Sequence, residues 1–150
     1  MAVSAALNHE YPLKAAYLFH LAELTEWPEP GNIKICVLGD SQLRGYLPAL
    51  AGQAIDDRAV QIMPDQPPGS VNCSMLFVSD NASLTPQLSE QAKNRHILLV
   101  SDAEGFAEKG GMVQLSLRDN KLKLVIYLPA VKQAGLKLSS KLLRMAEILE

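Results

Sequence analysis

The sequence predicts one α/β domain in three layers, with a mostly parallel sheet, helices on both faces and an antiparallel hairpin at one edge. Short apolar runs of strand type alternate with segments of helical period over residues 12–100. Two alternating runs then flank a two-residue turn within residues 112–127. The length of 150 residues fits a single domain over residues 1–150.

Strands and helices alternate through the first two thirds of the chain. In order, the predicted elements are a helix at 12–27, a strand at 33–38, a helix at 40–51, strands at 58–63 and 73–78, a helix at 83–94 and a strand at 97–100. Asp40 or Ser41 is the expected cap of the second helix, and Ser83 is that of the third. The sequence PDQPPG at residues 64–69 predicts a loop, because neither a helix nor a strand interior accepts it.

The spacing of apolar residues changes in the last third of the chain. Residues 112–117 and 121–127 alternate apolar and polar side chains around an Asp-Asn pair, which predicts an antiparallel hairpin. A closing helix is predicted over residues 138–149, where apolar side chains recur at helical spacing. Its expected cap is Ser139 or Ser140.

Composition argues against several classes of partner. The formal net charge is -2 and charged residues make up 20%, whereas nucleic acids and anionic membranes need a clustered basic surface. No apolar run approaches the ~20 residues of a membrane span, so direct membrane insertion is not expected. Residues 1–11 lack the pattern of a secretion signal, which leaves a cytoplasmic protein or one whose signal has been removed.

The sequence contains no convergent catalytic set. The three histidines, His9, His20 and His96, do not have metal-ligand spacing. The segment GDSQLRG after the first predicted strand is neither a dinucleotide fingerprint nor a Walker loop, and no serine lies in a GxSxG elbow. We therefore expect no enzyme activity, no metal and no cofactor.

Polar residues follow three of the predicted parallel strands. Asp40 and Ser41 follow the first, Ser101 and Asp102 follow the last, and a Ser-Asp pair follows the strand at 73–78. Ligands of open α/β sheets bind outside the carboxyl ends of the strands, which makes these residues candidate ligand or partner contacts. The alternative is a purely structural role, because Ser and Asp are also the commonest caps and turn formers.

Two aromatic residues are candidate partner contacts. Trp27 ends the first predicted helix beside a proline, and Phe106 lies in the loop EGFAEKGG. A tryptophan at such a corner is either a core residue or an interface anchor. Phe106 is likewise either a core residue or an interface anchor.

The two cysteines, Cys36 and Cys73, both lie in predicted buried strands. An even count permits one disulfide without establishing it, and two buried free thiols are the alternative. Neither position is a positively charged helix start, so we expect no nucleophilic cysteine.

Several segments resemble the YfiR family and occur in the same order. They are LKAAYLFHLAELTEWP, ICVLGD, CSMLFVS, ILLVSDAEGFAEKGGMVQL and DNKLKLVIYLPAVKQAGLKLSSKLLRMAEIL, which together span residues 12 to about 149. YfiR-like proteins are small periplasmic α/β proteins. The best-known kind represses a membrane-bound diguanylate cyclase by binding its periplasmic sensing domain, and so lowers cyclic-di-GMP signalling.

The resemblance implies a location and a cross-link. It implies a periplasmic protein whose signal peptide has been removed, with residues 1–11 as a flexible N-terminus. It also implies an oxidising compartment and a Cys36–Cys73 disulfide, because the cysteines match the paired strand positions of the family. Some relatives carry a second cysteine pair later in the chain; this sequence has none after Cys73, so redox switching tied to that pair is not implied.

The resemblance finally implies a regulatory function. The chain would bind the periplasmic domain of a membrane signalling protein, a diguanylate cyclase in the first instance, and favour its inactive state. A homodimer and a small-molecule ligand are further expectations. The alternative is a small-molecule-binding sensory module of a membrane sensor kinase system, with its ligand near Asp40 and Asp102.

Overall fold

The computed structural model describes residues 9–63 and 72–150, and most of its strands form one sheet. The strands are β1 (Thr25–Glu26), β2 (Ile33–Leu38), β3 (Ala54–Ile55), β4 (Arg58–Ile62), β5 (Met75–Val78), β6 (Leu98–Ser101), β7 (Val113–Arg118), β8 (Lys121–Tyr127), β9 (Lys137–Leu138) and β10 (Glu147–Leu149). The α-helices are α1 (Glu10–Glu23), α2 (Pro86–Arg95), α3 (Leu128–Gln133) and α4 (Ser140–Met145). Three 3₁₀ turns lie at Gln42–Gly45, Leu47–Leu50 and Asn81–Ser83.

The main sheet has eight strands in the order β10-β8-β7-β6-β5-β2-β4-β3. The five strands from β7 to β4 are parallel, and β7 and β8 form the antiparallel hairpin. The predicted α/β class with a mostly parallel sheet is confirmed. The hairpin is not outermost, however, because β10 adds a parallel strand beyond β8. β1 and β9 form a separate antiparallel pair.

Strand register divides the main sheet into an apolar face and a mixed face, since residues paired in register share a face. On the apolar face, Ile35, Met75 and Leu98 form one fully buried row. On the mixed face, Val78 continues into Ser101 and Gln114, which are buried although they are polar. Buried polar groups need partners, and both residues have them.

The hairpin prediction is confirmed, including its turn. Asp119 and Asn120 have φ values of 52° and 63°, the left-handed backbone that a two-residue type I′ turn requires. Asp and Asn tolerate this conformation better than most side chains. The strand predicted at residues 33–38 is also confirmed, with the same bounds.

The helix predicted at residues 40–51 is wrong, because two 3₁₀ turns occupy this segment. Pro48 lies inside it and has no N–H to donate, so a continuous α-helix would lose a hydrogen bond there. Ser83 is not the cap of α2. The cap is Thr85, whose Oγ1 accepts from the Leu88 N–H at 3.1 Å, with Pro86 in the first turn.

Two of the predicted helices are longer than the helices in the structure. α1 ends at Glu23 and not at Trp27, because β1 follows it and pairs with β9. The helix predicted over residues 138–149 is a strand, a short helix and a second strand, because its two ends pair with β1 and β8. Ser139 does cap α4, with its Oγ accepting from the Leu142 N–H at 3.2 Å.

Two sequence predictions concern segments at or beyond the limits of the described residues. The loop predicted at residues 64–69 lies outside them. Of the flexible N-terminus predicted at residues 1–11, residues 1–8 also lie outside, and Glu10 and Tyr11 are in the first turn of α1.

Candidate functional site

The carboxyl ends of β2, β5 and β6 lie together, because these strands are adjacent and parallel. We call this side of the sheet the carboxyl edge. It carries four residues predicted as ligand or partner contacts: Asp40, Ser41, Ser101 and Asp102. The topology therefore brings these four to one side of the molecule.

The two serines at the carboxyl edge satisfy the local backbone. Ser41 Oγ accepts from the Leu43 N–H at 3.1 Å, and Ser101 Oγ accepts from the Ala103 N–H at 3.0 Å. Ser101 is fully buried, so it cannot touch a partner in this structure. Asp40, in contrast, is exposed to solvent.

Asp102 is bound by Lys14, a residue that sequence reasoning missed. Lys14 Nζ donates to Asp102 Oδ2 at 2.8 Å and to Glu10 Oε2 at 2.5 Å. It also lies 4.8 Å from the centroid of the Tyr11 ring, within range of a cation–π contact. We call Glu10, Tyr11, Lys14 and Asp102 the Lys14 cluster; its two carboxylates share one ammonium group.

Lys14 is almost completely buried. Its side chain is 5% exposed, against 14% for Glu10 and 17% for Asp102. The one signal in the sequence is its position, since Lys14 lies on the same helical face as Leu18 and Leu21. A lysine there must either be paired or point out of the core.

Electrostatics keep the Lys14 ammonium protonated. Burial alone would lower the pKa of Lys14, but the hydrogen bonds to Asp102 and Glu10 outweigh burial and raise the pKa above its ordinary value of 10.5. Burial raises the pKa of the Tyr11 hydroxyl, partly offset by the nearby ammonium. Lys14 is therefore an ion-pair partner at neutral pH and is unsuited to act as a base.

The opposite side of the sheet, which we call the amino edge, lies next to the disulfide. Cys36 in β2 and Cys73 just before β5 are bonded, with their Cα atoms 6.1 Å apart. The disulfide implied by the resemblance is thus present in the structure. Both cysteines are buried within the hydrophobic core, so the bond joins two neighbouring strands from inside.

A cavity of about 180 Å³ opens at the amino edge. Its lining includes Trp27, Lys34, Cys73, Arg95 and His96. The Trp27 side chain is half-buried, and its Nε1 donates to the carbonyl oxygen of Ala22 at 3.0 Å, which fixes the ring. An engineered apolar cavity of about 150 Å³ holds a benzene molecule, so this space is large enough for a small ligand.

His96 is fixed in the wall of this cavity. It ends α2 with a left-handed backbone, at φ 58°. Its Nδ1 lies 2.7 Å from the carbonyl oxygen of Ala134. A carbonyl oxygen can only accept a hydrogen bond, so Nδ1 carries the proton that it donates to Ala134. The other ring nitrogen, Nε2, takes no part in this bond.

Phe106 is a core residue and not a surface contact. Its side chain is fully buried, because the loop that carries it folds onto the mixed face of the sheet. A Cβ atom at Gly111 would lie 2.2 Å from the Phe106 ring, so only glycine allows this close packing. Gln114 Oε1 fastens the same loop by accepting from the Ala107 N–H at 3.1 Å.

The predicted site residues therefore do not form one site. Asp40, Ser41, Ser101 and Asp102 lie at the carboxyl edge, Trp27 lies at the amino edge, and Phe106 is in the core. Within residues 9–63 and 72–150, no group of three or more His, Cys, Asp or Glu side chains could hold a metal ion. The helices described for this chain include none long and apolar enough to cross a membrane.

A protein-family model described as YfiR/HmsC-like matches residues 11–147, which is nearly the whole chain. No curated protein matches the sequence.

Proposed function

This chain belongs to the YfiR/HmsC-like family, and on that basis we propose that it is a periplasmic protein that represses a membrane-bound diguanylate cyclase. The family match over residues 11–147 is the observation that carries the proposal. The chain would act by binding and would transform no substrate itself. Turnover of any substrate by the purified protein would contradict this second point.

The disulfide supports a periplasmic location. Disulfides persist in oxidising compartments such as the bacterial periplasm and are rare in the cytosol. The Cys36–Cys73 bond ties β2 to the segment just before β5, so it cross-links two neighbouring parts of the sheet. A protein stabilised in this way suits a compartment that keeps the bond oxidised.

The proposed mechanism is a shift in the population of two states of the cyclase. A repressor that binds the inactive state more tightly moves the equilibrium towards it, by no more than the difference between the two affinities. Release of the repressor then allows the cyclase to make cyclic-di-GMP.

We place the partner-binding surface at the carboxyl edge. Asp40 is exposed there, and two exposed apolar side chains lie on neighbouring elements: Leu13 in the first turn of α1, at 39%, and Tyr46 after the first 3₁₀ turn, at 42%. Tyrosine is enriched at the centres of interfaces because it combines a large contact area with a polar end. Tyr46 is therefore the residue on which the proposed surface depends most.

The test is recovery of the partner from solubilised membranes. A tagged chain expressed in the periplasm should recover a membrane signalling protein, and deletion of the chain should raise cellular cyclic-di-GMP. Tyr46→Ala should weaken recovery by about tenfold or more, as expected of an interface hot spot. Met145→Ala is the matched control, because Met145 is 61% exposed in α4 and lies outside the proposed surface.

One result would contradict the proposed function, and another would contradict the proposed surface. If no signalling protein is recovered and cyclic-di-GMP is unchanged by deletion, the repressor function is wrong. If Met145→Ala weakens recovery as strongly as Tyr46→Ala, the function stands but the surface is misplaced. Light scattering of the purified chain would test the expected homodimer in the same preparation.

A second candidate function is a small-molecule sensor for a membrane kinase, and the cavity at the amino edge favours it. Its lining combines the Trp27 ring with the charged side chains of Glu29, Lys34 and Arg95, so it offers an aromatic surface and groups of both charges to a small polar ligand. Thermal shift against a metabolite panel tests this function. Trp27→Ala should abolish any stabilisation by a ligand, whereas Asp40→Ala at the carboxyl edge should leave it unchanged.

A further inference from the structure

We propose that the first turn of α1, residues 10–14, is a strap that opens and closes over the carboxyl edge, with the ion pair between Lys14 and Asp102 as its fastening. The inference goes beyond the proposed function and does not depend on the identity of any partner. It rests on a contrast between the two ends of α1.

The C-terminal part of α1 is held by apolar burial. Leu18, Leu21 and Ala22 are at most 1% exposed and belong to the hydrophobic core. Releasing this part would expose large apolar side chains to water, which strongly disfavours opening. Ala15 is the first apolar residue of the helix that is buried in this way.

The first turn has weaker apolar anchoring. Leu13 is 39% exposed, and Pro12 is also on the surface. The N-cap residue, His9, makes no side-chain capping hydrogen bond, so the first turn also lacks the usual stabilisation of a helix start. Tyr11 is half-buried and packs in part against the core.

Charge holds the first turn in place. The bond from Lys14 to Asp102 joins residues 88 apart in sequence and ties the helix to the end of β6. The bond from Lys14 to Glu10 stays within the helix, at a spacing of four residues, and ties it to nothing else. Loss of the first bond therefore removes the polar link between the strap and the end of β6, whereas loss of the second leaves that link in place.

Opening the strap would change what the carboxyl edge offers to another molecule. The Asp102 side chain is 17% exposed while its carboxylate is paired with Lys14. Once Lys14 leaves, this carboxylate becomes available to a cationic group of a bound molecule, beside the exposed Asp40. The strap thus controls access to a negative charge at the end of β6.

Amide hydrogen exchange of the full chain tests the strap. The informative amides are those of Leu13, Lys14, Ala15 and Ala16, because in a helix they bond to carbonyls of residues 9–12; the first of these bonds measures 3.1 Å. In Asp102→Asn these amides should exchange about tenfold faster than in the unchanged protein, as expected for loss of a largely buried ion pair. The amides of residues 21–24, at the other end of α1, should change by less than about twofold, because apolar burial holds them.

Glu10→Gln is the matched control. It removes the other carboxylate of the Lys14 cluster, but an ion pair at this helical spacing contributes little, so exchange of the same amides should rise by only about twofold. Lys14→Gln removes the ammonium charge from both ion pairs and should raise exchange at least as much as Asp102→Asn. It also provides a second measurement if Asp102→Asn folds poorly.

Three results would overturn the proposal. The first is an equal rise at both ends of α1, which would mean that the helix or the whole fold opens together. The second is an equal rise in Glu10→Gln and Asp102→Asn, which would mean that helix stability and not attachment to β6 is responsible. The third is no rise in either Asp102→Asn or Lys14→Gln.

Discussion

At the carboxyl edge of the sheet three of the four predicted polar residues are bonded to the chain itself, whereas at the amino edge a cavity remains open beside the disulfide. Ser41 and Ser101 satisfy nearby N–H groups, and Asp102 is neutralised by Lys14. At the amino edge, Trp27 and His96 are fixed by backbone carbonyls but still line an open space. The polar side chains at the two edges of one sheet therefore differ in how available they are to another molecule.

This difference shows how a general expectation is modified by a single helix. Ligands of open α/β sheets are usually found at the carboxyl ends of the strands. Here α1 places an ammonium group at that position, so the chain provides its own cation. A polar residue at a strand end therefore predicts a binding site only when no other side chain of the fold already binds it.

The largest expected effect tests the amino edge. The double change Cys36→Ala and Cys73→Ala should lower the free energy of unfolding by about 4 kcal/mol, because the bond closes a loop with a sequence separation of 37. Denaturant unfolding without reductant measures it, and the unchanged protein with reductant should match the variant. A loss below about 1 kcal/mol would show that the unfolded chain is little restricted by the bond.

The next largest effect tests the carboxyl edge. Lys14→Met should lower the free energy of unfolding by about 2–3 kcal/mol, somewhat less than for a fully buried ion pair, because both carboxylates keep some contact with water. Lys137→Met is the control, since its pair with Glu26 spans 3.9 Å at the surface and should contribute nothing measurable. Equal losses in the two variants would contradict a special role for Lys14.

A smaller effect separates the two kinds of residue within the carboxyl edge. Ser41→Ala should cost about 1 kcal/mol, because the Leu43 N–H loses its cap. Asp40→Ala should cost less than about 0.5 kcal/mol, as is usual for exposed positions. Urea unfolding of the two neighbouring variants measures this difference. The reverse order would mean that Asp40 makes a contact that stabilises the fold.

The smallest expected effect is a change in the slope of stability against pH. The folded state raises the pKa of Lys14 above 10.5, so it holds this proton more tightly than the unfolded chain does. The resulting stabilisation is complete below that pH and is lost as the pH rises through the folded pKa. Tyr11, whose pKa is also raised, adds a loss in the same direction. Lys14→Met should therefore show a shallower alkaline decline in urea unfolding, and an unchanged decline would contradict the assignment.

The parts of the fold predicted correctly were those decided by local sequence. The strand at residues 33–38 is a continuous apolar run, and the hairpin has alternating strands around a turn that only a few residue types allow. Such signals depend on neighbours in sequence. The helix predicted over residues 138–149 failed because its helical spacing was real, but pairing of its two ends with β1 and β8 outweighed it.

The candidate site was harder to predict, because distant residues decide it. The sequence placed Asp102 at a strand end correctly, yet its partner Lys14 is 88 residues away. For Phe106 the sequence leaves two alternatives open, a core position and a partner contact. Its burial depends on Gly111, which permits contact with the ring. The cavity beside Trp27 had no signal in the sequence, since its lining comes from three separate segments.

The disulfide also closes a covalent loop that contains the strands on one side of β2. β3 and β4 both lie between Cys36 and Cys73 in the chain, so these strands belong to a closed covalent ring. A protease that cuts once inside this ring produces two fragments that sulfur still joins. Such a cleaved molecule would migrate as one species until a reductant separates the two fragments. Until then the fragments stay joined and can refold together.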